Sequence, residues 1–130
     1  MNGATVLIIE DNPLNVELAS DLLQASGFTI RSTNTAEEGL RIAREWLPDL
    51  VLMDISLPGM DGLCAARALK ADAATAHLAI AGLTAHAMKG DEGIALGAGF
   101  DAYLTKPIDT RTFVATVNEL IVSHSNKLNS

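Results

Sequence analysis

Three acids, one hydroxyl and one lysine stand at the same kind of place in this chain, just after a short apolar run. Thr5-Val-Leu-Ile-Ile9 leads into Glu10 and Asp11, and Asp49-Leu-Val-Leu-Met53 leads into Asp54. Ala79-Ile-Ala-Gly-Leu83 ends in Thr84, and Ala102-Tyr-Leu-Thr105 ends in Lys106. If these positions meet, three carboxylates against one ammonium leave a charge of about −2, and such a cluster either raises its pKa values or takes up a cation. Oxygen donors without His or Cys suit Mg²⁺, which shares its shell with water and phosphate oxygens. Mn²⁺ is expected to substitute for it. A divalent ion would let a dianionic phosphoryl group approach Asp54, which would otherwise repel it. In this chemistry Asp54 is the nucleophile and forms an acyl phosphate. The metal and Lys106 neutralise the phosphoryl oxygens, so positioning and charge do most of the catalysis. The Thr84 hydroxyl turns to bond the new phosphoryl group, and the Ser56 carbonyl completes the metal shell.

Strand and helix patterns alternate along the chain and supply the positioning. Strands are expected at about 4–9, 28–32, 49–53, 79–83 and 100–104, and helices at about 13–26, 35–46, 62–71, 87–97 and 109–123. Five βα units in strict alternation imply a parallel sheet covered on both faces. All strand C-termini then lie on one edge, where ligands bind in open α/β sheets. Helix-start signals agree. Asn12-Pro13 reads as an N-cap followed by proline at the first helical position. Thr35-Ala-Glu-Glu38 fits a capping box. Asp61 and Asp109 are candidate caps, and Gly27 sits where the first helix should stop. Gly90, Gly93 and Gly97 weaken the fourth helix pattern by roughly 1 kcal/mol each against alanine. The first helix carries an apolar arc of about 200°, wider than a simple stripe. Asn15 projects into it and is read as a buried asparagine hydrogen-bonded to a nearby loop; the alternative is that part of the arc stays exposed for a partner, with Leu14 at its rim.

These segments resemble the receiver domain of two-component response regulators. The motifs are Ile-Ile-Glu10-Asp11-Asn-Pro, Leu-Met-Asp54-Ile-Ser-Leu-Pro58-Gly-Met-Asp61-Gly62, Leu-Thr84-Ala85-His86-Ala-Met88 and Tyr103-Leu-Thr-Lys106-Pro107. The resemblance covers roughly residues 4 to 122 and is nearest to single-domain cell-cycle regulators and hybrid histidine kinase receivers. It implies a flavodoxin-like (βα)₅ doubly wound parallel sheet of strand order 2-1-3-4-5. It implies Mg²⁺-dependent transfer from a phosphohistidine, on a histidine kinase or a histidine phosphotransfer protein, to Asp54. Glu10, Asp11, Asp54 and the Ser56 carbonyl would hold the metal. Thr84 and Tyr103 would move together on phosphorylation and reshape the surface read by a downstream protein target. Kinase docking is expected around Leu14, Asn15, Pro107 and Ile108, and Lys106-Pro107 as a cis peptide. Such a module phosphorylates and dephosphorylates itself without classical enzyme turnover. One departure is Glu10, where aspartate is commoner; its longer arm can reach the ion through water.

The same residues admit other readings. Asp54 alone could form a turn, Thr84 an ordinary strand end and Lys106 a solvated charge; their joint placement favours the site. His86 reads as a surface loop, Cys64 as small core filler, and Trp46 as a cover for the second helix. A flavin or nucleotide module of the same architecture would need amides and small residues after the first strand, where Glu10-Asp11-Asn-Pro stands. A phosphoester hydrolase would need a general acid where Ser56 stands. A degenerate scaffold would not keep all five site residues.

Composition sets the remaining bounds. The chain of 130 residues, 48% hydrophobic, is read as one domain over residues 1–124 with a polar tail over 125–130. A lone cysteine excludes an internal disulfide and fits a reducing cytoplasm. No apolar run approaches the roughly 20 residues needed for membrane insertion, and no secretory signal is visible. A net charge of −7 argues against direct nucleic acid binding. The chain is either a stand-alone receiver or one domain of a larger hybrid kinase or regulator.

Overall fold

The computed structural model describes residues 4–55, 62–84, 100–105 and 108–128. The elements are β1 (Thr5–Ile9), α1 (Pro13–Ala25), β2 (Thr29–Thr33), α2 (Ala36–Trp46), β3 (Leu50–Asp54), α3 (Gly62–Ala71), β4 (Ala79–Thr84), β5 (Ala102–Thr105) and α4 (Phe113–Leu128). All strand pairs are parallel, in the order β2-β1-β3-β4-β5. That is the expected 2-1-3-4-5. The helix pattern at 87–97, Asp61 and His86 lie outside the described residues.

Side-chain alternation divides the core in two. Leu7, Ile9, Val51, Met53 and Ile80 face α2 and α3, where they meet Ile42, Ala43, Ala65, Ala66 and Leu69. Val6, Ile8, Leu50, Leu52 and Ala81 face α1 and α4, where they meet Ala19, Leu23, Phe113, Val117 and Ile121. β1 and β3 need apolar residues on both faces, which explains their continuous apolar runs. β2 is an edge strand, and its Thr-Ile-Arg-Ser-Thr sequence is largely exposed.

The helix ends follow the sequence signals with three exceptions, at Thr35, at Asp109 and at the end of the last helix. Asn12 caps α1, its Oδ1 accepting the Leu14 N–H at 3.0 Å. Gly27 takes φ 94°, the left-handed conformation that ends α1. Thr35 caps α2 by accepting the Glu38 N–H at 3.3 Å, but the Glu38 carboxylate pairs with Arg41. Half of the expected capping box is therefore observed. Asp109 does not open the last helix directly. Its Oδ1 accepts the Arg111 N–H at 2.9 Å in a preceding turn, and α4 starts at Phe113.

At its other end α4 continues to Leu128, past the expected stop at 123. His124 is pinned there: its Nε2 lies 2.5 Å from the His77 carbonyl oxygen. Cys64 departs from its expected role as core filler. It is exposed on α3, one position off the buried Ala65-Ala66-Leu69 stripe, and so does not fill the core. Trp46 does cover the end of α2, packing on the core with the Arg31 guanidinium 5.5 Å from its ring centroid.

Candidate metal centre

Strand register builds the site from the backbone up. Ile9 pairs with Met53, so Glu10 and Asp54 are the next residues on adjacent strands. Asp54 pairs with Leu83, and the ladder continues with Ile55 N–H donating to the Leu83 carbonyl at 3.0 Å. Thr84 ends β4 opposite Thr105, the residue before Lys106. Four strand ends thus converge on one edge of the sheet.

The acids meet there. One carboxylate oxygen from each of Glu10, Asp11 and Asp54 lies within 4.8 Å of the others. Glu10 is 1% exposed and Asp54 5%, whereas Asp11 faces solvent. At an effective dielectric of about 20, two charges at that separation repel by roughly 3 kcal/mol. Folding holds together carboxylates that would otherwise move apart, and a cation offsets that repulsion. The donor set is all oxygen. Oxygen donors this close suit a small hard cation that also keeps water in its shell. The residues present fit magnesium.

Glu10 is oriented by the start of α1. Its Oε2 accepts the Asn12 backbone N–H at 3.2 Å, and its Oε1 accepts Asn15 Nδ2 at 3.1 Å. Asn15 is half-buried rather than buried, and the loop expected to bind it is the acidic turn itself. Glu10 N–H in turn donates to the Thr33 carbonyl at 3.0 Å. Asn15 was visible in the sequence as a polar break in an apolar arc; its partner, five residues back across a turn, was not.

The other site residues divide by location. Thr84 closes β4, and Tyr103 sits on β5 as the register partner of Gly82. Ser56, Lys106 and Pro107 lie outside the described residues. Leu14 is 75% exposed beside the acidic turn, and Ile108 is 8% exposed, within the α1–α4 half of the core. A cleft lined by Glu10, Asp11, Pro13, Glu17, Thr33 and Asn34 opens next to the acids, between α1 and the end of β2.

Comparison with known proteins places this geometry. A family model described as the response regulator receiver domain matches residues 6–118. The polar-differentiation response regulator DivK of Brucella ovis is 43% identical over 117 residues, spanning 90% of this chain and 95% of the relative. A solved receiver domain of a sensor histidine kinase from Pseudomonas aeruginosa PAO1 has a magnesium ion coordinated in its active site cleft. It superposes with a TM-score of 0.84 at 31% identity, covering 92% of this chain and 98% of that one. A CheY-like response regulator receiver domain protein from Methanospirillum hungatei JF-1 superposes with a TM-score of 0.87 at 24% identity, over 97% and 99% of the two chains, and bears on the fold alone.

Proposed function

This chain belongs to the response regulator receiver domain family of two-component signal transduction, and on that premise we propose that Asp54 is its phosphoacceptor. The observation that carries the proposal is the placement of Asp54, buried at the end of β3 and within 4.8 Å of carboxylate oxygens of Glu10 and Asp11. Three carboxylates this close repel one another, and a cation among them would offset that repulsion.

The donor is a phosphohistidine of a histidine kinase or histidine phosphotransfer protein. An Asp54 carboxylate oxygen attacks phosphorus, the phosphorus–nitrogen bond breaks, and the imidazole leaves with its electron pair and takes up a proton. The product is an acyl phosphate on Asp54. Glu10, Asp11, Asp54 and the Ser56 carbonyl would hold Mg²⁺, or Mn²⁺ in its place, which would supply positive charge to the acids and the incoming phosphoryl oxygens. Lys106, which follows β5 in the sequence, would neutralise phosphoryl oxygens. The Thr84 hydroxyl then donates to the new phosphoryl group, and Tyr103 follows it, changing the surface that a downstream protein reads. Water later attacks the same phosphorus and returns Asp54 to its free form.

Docking of the donor falls on the start of α1 and the segment after β5, around Leu14, Asn15 and Pro107; Ile108, expected there too, is packed into the core and offers a partner little surface. The exposure of Leu14 beside the acidic turn supports this placement. We assign the protein to the cytoplasm, where its kinase partners present their phosphohistidines. No helix among the described residues is long and apolar enough to cross a membrane, and a net charge of −7 disfavours direct nucleic acid contact.

A second reading keeps the chemistry and changes the context: the domain serves within a larger hybrid histidine kinase or regulator. The likeness to a sensor kinase receiver favours it, and the likeness to DivK favours a stand-alone module. The length of the native open reading frame separates the two.

Incubation with acetyl phosphate and Mg²⁺ tests the shared chemistry. One hydroxylamine-labile phosphate per chain is expected, none in Asp54→Asn, and none after chelation. Equal labelling of Asp54→Asn would refute the assignment.

A further inference from the structure

Glu10 poses a problem of orientation. Its carboxylate is almost wholly buried, and a glutamate arm has one more rotatable bond than the aspartates beside it. A longer arm would lose more entropy in serving the same ion unless that freedom is already suppressed. Two donors from the start of α1 suppress it by gripping different oxygens: Asn12 N–H on Oε2 and Asn15 Nδ2 on Oε1. Two contacts on opposite oxygens fix the rotation of the carboxylate plane as well as its position. The Asn12 contact is backbone and comes with the turn, whereas the Asn15 contact depends on the side chain.

The residue type matters. An ionised carboxylate only accepts hydrogen bonds, so the amide nitrogen of Asn15 must be the end that meets Glu10. Lysine or arginine there would cancel charge that the cation needs, and aspartate would add a fourth acid to the cluster. Asparagine donates without changing the charge. It does so at a local cost, being a poorer helix former than leucine or alanine by about half a kcal/mol, on an arc whose neighbours Leu18, Ala19 and Leu22 pack into the core.

We infer that Asn15 is a positioning residue for the metal: it fixes the orientation of the Glu10 carboxylate in the cluster that, with Asp11 and Asp54, would hold the ion. The inference presupposes the magnesium site proposed above and assigns a residue that does not itself bind the ion. Losing an outer partner of a metal ligand typically weakens affinity 10- to 100-fold, and because Glu10 is one of three acids the expected loss is about tenfold.

Calorimetric Mg²⁺ titration of the intact chain provides the test. Asn15→Ala, which favours the helix, should raise the Mg²⁺ Kd about tenfold, while Asn15→Gln, which keeps the donor, should stay within about threefold of the parent. In a Glu10→Gln background Asn15→Ala should change the Kd less than about twofold, since the group it acts through is already altered. Asn15→Ser, too short to reach Glu10, replaces the alanine variant if the latter does not fold, with the same expectation. A merely structural role would lower the metal-free thermal midpoint and leave the Kd alone. The inference is overturned if Asn15→Ala binds Mg²⁺ like the parent, or loses the same factor with Glu10 already replaced. A parent chain that takes up no Mg²⁺ overturns the site itself, so the two failures are distinguishable.

Discussion

Asp11 differs from its two acidic neighbours in facing solvent, and this makes it the cleanest probe of charge crowding. Its repulsion with Glu10 and Asp54 is weakened by water to about 1 kcal/mol. Asp11→Asn is therefore expected to stabilise the metal-free protein by about that amount. It should also abolish the stabilisation by Mg²⁺, which in the parent at ten times the Kd is about 1.4 kcal/mol. Urea melts with and without Mg²⁺ measure both effects. A destabilised metal-free variant that keeps its Mg²⁺ response would show that Asp11 is a structural group. At this scale the candidate residues were legible in the sequence, because strand-end acids are rare enough to stand out when three occur together. How Glu10 is held was not legible, since a helix periodicity identifies Asn15 as out of place without identifying its partner. Cys64 shows a related limit: in Leu63-Cys64-Ala65-Ala66 all four residues suit a core, and only the phase of the helix on the sheet decides which are buried.

Elements bring those residues into register, and α2 does so by close approach. A Cβ at Gly39 would lie 2.8 Å from Cγ1 of Ile9 and nearer still to its Cδ1. Ile9 is the residue before Glu10 and is fully buried. Alanine at 39 gains about 1 kcal/mol of helix propensity, but overpacking costs 1–3, so Gly39→Ala is expected to destabilise the fold by about 1 kcal/mol. Ile9→Val in the same chain should recover part of the loss; thermal melts of the single and double variants check this.

The other face of α2 ties it to the end of α3, where Asp72 Oδ2 meets Arg44 Nε at 2.7 Å. The Ala74 N–H bond to Asp72 and then the Arg44 guanidinium hold its carboxyl below the ordinary value of 3.8. A folded-state value below the unfolded one means stability that is fully present above pH 3.8 and is lost as pH falls through the lower value. The parent should thus exceed Asp72→Asn in thermal midpoint at pH 7, and the gap should close in acid. A gap that widens with acid would contradict the sign. Element type and order were legible from periodicity. The boundaries of α4 were not. Its start is delayed because Asp109 spends its carboxylate on a turn, and its end is extended by the tertiary contact of His124 with His77, which no local propensity encodes.

For the whole molecule, a parallel sheet with two helices described on each face leaves the carboxyl edge as the natural place for chemistry. Strand alternation made the sheet legible; the order 2-1-3-4-5 came from family resemblance, because apolar runs alone do not say which strand sits beside which. The central claim is that this edge traps a magnesium ion beside Asp54. Isothermal titration with Mg²⁺ at millimolar concentrations tests it most directly. One ion per chain is expected, with binding lost in Asp11→Asn and competed by Mn²⁺. No binding heat, or binding unchanged in Asp11→Asn, would contradict it.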